Sequence, residues 1–247
     1  LSTRWTATTA SWDGKQSFVQ VAYIARGTGT HGAFRLAGYD TDHDGREELL
    51  LYGNGIVWLY EHMGSNQYEP VLQLPQRACW AAGDIDQDGL SDIVVESSDS
   101  LEVYESPAPD TYPTQCVWQW ELRLSGTASS TFITDLDQDG RREMFVIQRG
   151  AFLDILENTG DNTYVPVFRD SVWNPLGSIG FISDDDFDLD GKMEFVTSDA
   201  QGHVIVYENT TVGVDSFAIT WIDSLPLLGA YENAAANDMD QDERPEF

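Results

Sequence analysis

Acidic residues occupy positions 1, 3, 5 and 9 of five ungapped segments: DTDHDGREE (40–48), DIDQDGLSD (84–92), DLDQDGRRE (135–143), DFDLDGKME (186–194) and DMDQDERPE (238–246). Their starts at residues 40, 84, 135, 186 and 238 are separated by 44, 51, 51 and 52 residues. A nearly constant period of this length means that one supersecondary unit is used repeatedly, and it constrains the fold more than any other feature of the chain.

The rest of each period repeats as well. A short apolar stretch precedes each acidic segment: AFRLAGY, ACWAAG, TFITDL, GFISDD and, more weakly, NAAAN. After the first four segments come β-rich runs (LLLYG, IVVES, MFVIQ, FVTSD), then a second set (IVWLYE, LEVYE, FLDILE, HVIVYE), then a third (YEPVLQL, CVWQWEL, TYVPVFRD, FAITWID). Branched and aromatic residues bounded by Gly, Asn, Asp, Ser and Pro read as short strands. No stretch holds a helical period beyond a turn or two. Four strands per period predict an all-β chain of propeller blades, an architecture that manages sheet edges by radial repetition.

The expected organisation is one propeller domain over 1–247. Residues 1–30 form the second half of a blade, 31–76, 77–126, 127–177 and 178–229 form four blades, and 230–247 form a first half. The half-blades suit either a five-bladed ring closed by both termini or a piece of a ring of six to eight blades. They also allow self-association by strand addition.

Composition narrows the function. The chain carries 42 Asp and Glu against 13 Lys and Arg, a formal net charge of −29. Nucleic acid and anionic membrane surfaces both need a basic face, so neither is expected as a partner. No apolar run approaches the roughly 18–20 residues needed to span a bilayer, so direct membrane insertion is not expected. The two cysteines, Cys79 and Cys116, are too few for a disulfide framework, and the sequence leaves their pairing open.

Four acids converging at each of five places need a reason to stay together. Two carboxylates about 4 Å apart repel by about 4 kcal/mol at an effective dielectric of 20. Ca²⁺ takes six to eight oxygen ligands in forgiving geometry, whereas Mg²⁺ demands a stricter octahedron and keeps more water. Alternate carboxylates in a tight loop, glycine at position 6 for the sharp turn and an acid at position 9 therefore point to calcium, about one ion per loop and up to five. An EF-hand would need flanking helices and an acid at position 12, where Leu51, Val95, Val146 and Thr197 stand.

An Asp-x-Asp-x-Asp-Gly-x-x-Asp/Glu loop in blades of about fifty residues resembles the FG-GAP/VCBS repeat family, the calcium-loop propellers that include integrin α-subunit heads. LENTGDNTYVPV (156–167) and VYENTTVGVDSFAITW (206–221) resemble the second half of VCBS-type repeats. The resemblance implies calcium ligands at Asp40, Asp42, Asp44 and Glu48, at Asp84, Asp86, Asp88 and Asp92, and at Asp135, Asp137, Asp139 and Glu143. It implies a fourth set at Asp186, Asp188, Asp190 and Glu194 and a fifth at Asp238, Asp240, Asp242 and Glu246. The fifth departs from the pattern, with Glu243 in place of the glycine and Pro245 at position 8.

No catalytic constellation stands out. His31, His43, His62 and His203 are dispersed, the acids are assigned to metal, and most of the eight tryptophans sit in strand patterns. The expected function is a non-catalytic, extracellular or cell-surface scaffold, binding a protein or glycan ligand on one propeller face for adhesion. A propeller domain of a secreted polysaccharide lyase or other hydrolytic enzyme is the alternative. A self-assembling surface subunit is a third reading. Asn209-Thr210-Thr211 has the form of a glycosylation sequon.

Overall fold

The computed structural model describes residues 4–12, 18–27, 36–53, 55–64, 67–75, 78–97, 99–122, 128–148, 152–170, 180–198 and 203–224. The regular elements among them are all strands. β1 (Arg4–Trp12) and β2 (Phe18–Gly27) pair as an antiparallel hairpin. Four four-stranded antiparallel sheets follow in chain order. The first contains β3 (Leu36–Tyr39), β4 (Glu48–Gly53), β5 (Ile56–Gly64) and β6 (Gln67–Leu74). The second contains β7 (Ala78–Gly83), β8 (Asp92–Glu96), β9 (Ser100–Glu105) and β10 (Gln115–Glu121). The third contains β11 (Ala128–Thr134), β12 (Glu143–Gln148), β13 (Phe152–Gly160) and β14 (Thr163–Asp170). The last contains β15 (Gly180–Asp185), β16 (Glu194–Ser198), β17 (His203–Asn209) and β18 (Phe217–Ser224). Each strand pairs with the next in sequence, as the four apolar runs per period predict.

Burial follows strand position. Every residue of β8 and of β12 is buried, which is why DIVVE and EMFVIQ read as continuous rather than alternating apolar runs. The fourth strands are largely exposed, and β18 buries only Phe217.

The chain divides into two compact units, Leu1–Gly83 with Gly89–Ser98 and Glu102–Cys116, and Asp84–Asp88 with Asp99–Leu101 and Val117–Phe247. In the first, Leu50, Val57, Leu59 and Leu74 pack against Ile93 and Val95. In the second, Leu136, Phe145, Ile147, Leu153 and Ile155 pack on Phe195, Ile205, Tyr207 and Phe217. Phe195 stacks on Tyr207 at 4.8 Å and meets the edge of Phe145 at 4.9 Å, so aromatic geometry fixes how these two sheets face each other.

The topology settles the cysteines. Cys79 lies on β7 and Cys116 on β10, the opposite edges of one sheet. Three strand spacings are about 14 Å, twice the roughly 7 Å that a disulfide can bridge between Cα atoms. The two do not pair within the sheet.

Candidate metal centres

Each described acidic segment connects the first and second strands of its sheet. The backbone turns by the same device every time. Position 4 is left-handed, at φ 58° for His43, 64° for Gln87, 64° for Gln138 and 62° for Leu189. Position 6 is left-handed again, at φ 89–92° for Gly45, Gly89, Gly140 and Gly191. The glycine carries no steric cost there, whereas a leucine at position 4 does, so the loop holds a strained residue in place.

The carboxylates hold this turn by accepting backbone N–H groups. Asp40 Oδ1 accepts from Asp44 N at 3.0 Å and Oδ2 from Gly45 N at 2.9 Å, and Asp186 repeats both bonds with Asp190 and Gly191. Asp42, Asp86, Asp137 and Asp188 each accept from the N–H two residues on, at 3.0–3.3 Å. These are Asx turns, the local chemistry that favours Asp at such positions.

Within single compact units, three groups of acids bring ligand oxygens within 4.8 Å of one another: Asp40, Asp42 and Glu48; Asp135, Asp137, Asp139 and Glu143; and Asp186, Asp188, Asp190 and Glu194. Asp44 stands outside the first group, and Asp84, Asp86 and Asp88 fall in the second unit while Asp92 falls in the first. Asp44 accepts the Arg46 N–H at 2.9 Å, with the guanidinium 3.8 Å away. Asp88 gathers instead with Asp86 and Asp161. Asp238, Asp240, Asp242 and Glu246 lie outside the described residues.

The ninth position is the most informative. Glu48, Glu143 and Glu194 are 0%, 0% and 3% exposed. In each, Oε2 accepts the backbone N–H of position 2, at 2.5 Å from Thr41, 2.5 Å from Leu136 and 2.6 Å from Phe187. In each, the other oxygen, Oε1, is buried with no hydrogen-bond partner among the described residues. A buried carboxylate oxygen left without a partner costs several kcal/mol unless a cation meets it. The same vacancy in bonding at the same position of three loops fits a hard cation with oxygen ligands.

A second glutamate sharpens the electrostatics. Glu143 pairs directly with Glu157 across β12 and β13, and Glu194 pairs with Glu208 across β16 and β17. Like charges directly opposite in a sheet are unfavourable. Arg141 answers Glu157 at 2.6 Å, and Lys192 answers Glu208 at 2.8 Å. Burial raises the ninth-position carboxyls, Glu48 to about 8, Glu143 to about 9 and Glu194 to about 7, with neighbouring acids adding to the effect.

The consequence has a definite sign. Without a cation, the folded state keeps protons that the unfolded chain has released above its ordinary value of 4.5. Stability in chelator is therefore expected to fall as pH rises from about 5 to about 9. Thermal melts across that range check this; stability that rises with pH in chelator contradicts it.

A feature absent from the local pattern is that the first three loops are each met by a turn from the following sheet. In the first unit, Tyr112, between β9 and β10, donates to Glu61 Oε2 at 3.1 Å and lies beside Asp42. In the second, Asn162 N, between β13 and β14, donates to Asp86 Oδ2 at 2.7 Å. Gly213 N, between β17 and β18, donates to Asp137 O at 2.6 Å. Arg142 Nη1 and Gln87 Nε2 add bonds to Asp84 O at 2.6 Å and Gly140 O at 3.0 Å.

Two further sequence candidates resolve otherwise. Asn209 is 1% exposed, its Nδ2 donating to Val214 O at 2.9 Å and its Oδ1 accepting from Thr211 N at 2.9 Å, so the sequon is inaccessible. Trp118 packs edge-on against Tyr164 at 5.1 Å, a packing role, while Trp221 on β18 is 46% exposed.

No family model matches the chain, and no curated protein matches it in sequence. Solved structures do. BBS1N, crystallised in complex with ARL6DN and soaked with lead, is 12% identical at a TM-score of 0.54 over 80% of this chain. A protein from Lactobacillus plantarum is 14% identical at a TM-score of 0.60 over 91% of this chain. The chain spans 58% of the first and 67% of the second, and so less than two thirds of the first. At such identities the likeness speaks for fold alone, and with the four antiparallel sheets it shows a fold of β-propeller type.

Proposed function

We propose that the protein is a calcium-stabilised propeller scaffold of the FG-GAP/VCBS kind that works outside the cell, binding a protein or glycan through loops on one propeller face, without catalysis. The observation that carries the proposal is the buried Oε1 of Glu48, Glu143 and Glu194, left without a hydrogen bond among the described residues beside two or three other carboxylates. Three sets of residues would hold an ion: Asp40, Asp42 and Glu48; Asp135, Asp137, Asp139 and Glu143; and Asp186, Asp188, Asp190 and Glu194. The ion would supply the positive charge that the loops lack and would fix the first-to-second-strand connection of each sheet.

A structural ion fits an extracellular setting. Extracellular modules bind calcium at about 10⁻⁴–10⁻³ M, so such sites fill outside cells and empty in a cytosol. A protein partner is in keeping with BBS1N, a chain of similar fold crystallised in complex with ARL6DN. Adhesion or surface assembly is the corresponding role.

Calorimetric titration with calcium tests the proposal. Dissociation constants of about 10⁻⁴–10⁻³ M are expected. Sites tighter than about 10⁻⁶ M, the range of cytosolic sensors and buffers, would overturn the extracellular assignment.

A further inference from the structure

The outer strand of the last sheet differs from its counterparts. Six of the nine large apolar side chains exposed among the described residues belong to that sheet: Leu189, Val212, Val214, Ile219, Trp221 and Ile222. Three of them stand on β18, with Ile219 44%, Trp221 46% and Ile222 55% exposed. β18 ends the strand order of its sheet and pairs, among the described residues, only with β17. Proteins blunt such edges with proline, lysine or a bulge. In the first and third sheets the register slips just before Tyr60 and Leu156, and the residues opposite these are Pro70 on β6 and Pro166 on β14. In the last sheet the register slips at the matching place, just before Tyr207, and the residue opposite is Ile219. Proline has no N–H, so the inner ladder takes no bond from this position, and Ile219 puts a donor on the open side of the strand.

We infer that β18 is a docking edge, to which an extended segment of a partner protein adds as a fifth strand. Strand addition draws its affinity from main-chain hydrogen bonds and its specificity from alternate side chains. Charge names the chemistry of the partner. Residues 193–224 carry five acids, Glu194, Asp199, Glu208, Asp215 and Asp223, and no lysine or arginine. Lys192, just before them in the chain, is held by Asp190 at 2.5 Å and Glu208 at 2.8 Å. The segment that fits alternates lysine or arginine with branched apolar residues. A second copy of this chain is disfavoured, because each carries a net charge of −29. The edge is a different surface from the loop face proposed above, and it needs no ion.

The probe is a labelled peptide of alternating lysine and valine, matched to the 8 residues of β18, its binding to the full chain followed by fluorescence polarisation. Methylating alternate peptide nitrogens is expected to weaken binding about 10-fold or more, since backbone hydrogen bonds are lost and their partners left unpaired. Ile219→Pro gives β18 the proline that β6 and β14 already carry. It is expected to weaken binding by a similar factor and to melt with the unaltered chain. Ile219→Val is expected to bind as the unaltered chain does. Equal binding of the plain and the methylated peptide overturns the inference, whether or not Ile219→Pro folds, because it marks cations gathering on an acidic surface. No binding of the plain peptide overturns it as well. A glutamate–valine peptide that binds as tightly overturns the charge assignment. Self-association of the unaltered chain that Ile219→Pro abolishes gives the edge to a second copy and overturns the basic partner. All of these outcomes leave the calcium reading standing.

Discussion

In excess chelator the protein is expected to melt on the order of 8 to 16 °C lower than in calcium at ten times the dissociation constant. An ion at that concentration stabilises the folded state by about 1.4 kcal/mol per site. Three loops then contribute about 4 kcal/mol, and a chain of this size loses about 2–4 °C per kcal/mol. The whole net stability of a domain is only about 5–15 kcal/mol, so the loops are asked for a large fraction of it. The physical source is the set of carboxylates gathered within 4.8 Å at these loops around a buried glutamate, which repel without a cation and would coordinate one. Differential scanning fluorimetry in chelator and in calcium measures the difference; equal melting temperatures contradict a structural role for the ion.

Glu143→Gln is expected to act in opposite directions with and without calcium. Burial raises the Glu143 carboxyl from 4.5 to about 9. Holding at neutral pH the proton that the unfolded chain has released costs the metal-free fold about 3 kcal/mol, at about 1.4 kcal/mol per pKa unit. Glutamine preserves the acceptor for Leu136 N and removes the charge. In chelator the variant is therefore expected to melt higher, on the order of 5–10 °C. In saturating calcium it is expected to melt lower than the unaltered chain, because one charged ligand of the third loop is lost. Paired melts at pH 7 check both signs. A variant destabilised equally in both conditions would reduce Glu143 to a buried hydrogen-bonding residue.

The acidic period was visible in the sequence because each first-to-second-strand loop repeats its acids in register. The four strands per period were visible because β8 and β12 are buried along their whole length and β18 is not. The left-handed position 4 was not visible: His43, Gln87, Gln138 and Leu189 share no residue type, and only the dihedral angle unites them. The glutamates opposite the ninth position were half visible. Glu61, Glu157 and Glu208 recur at the ends of their strand runs, but their confrontation with Glu143 and Glu194 needs the register of the sheet. The covering turns were hidden altogether, since Asn162 meets Asp86 across 76 residues of chain and Gly213 meets Asp137 at the same separation. Local pattern carries the loop; only packing carries what lies over it.

Equilibrium dialysis against 5 mM calcium, followed by elemental analysis of the protein, counts the ions directly. At least three calcium ions per chain are expected, one for each of the three ligand sets, with magnesium failing to displace them at equal concentration. A chain that retains fewer than one calcium ion would show that its acidic loops are held together by protonation and hydrogen bonds alone.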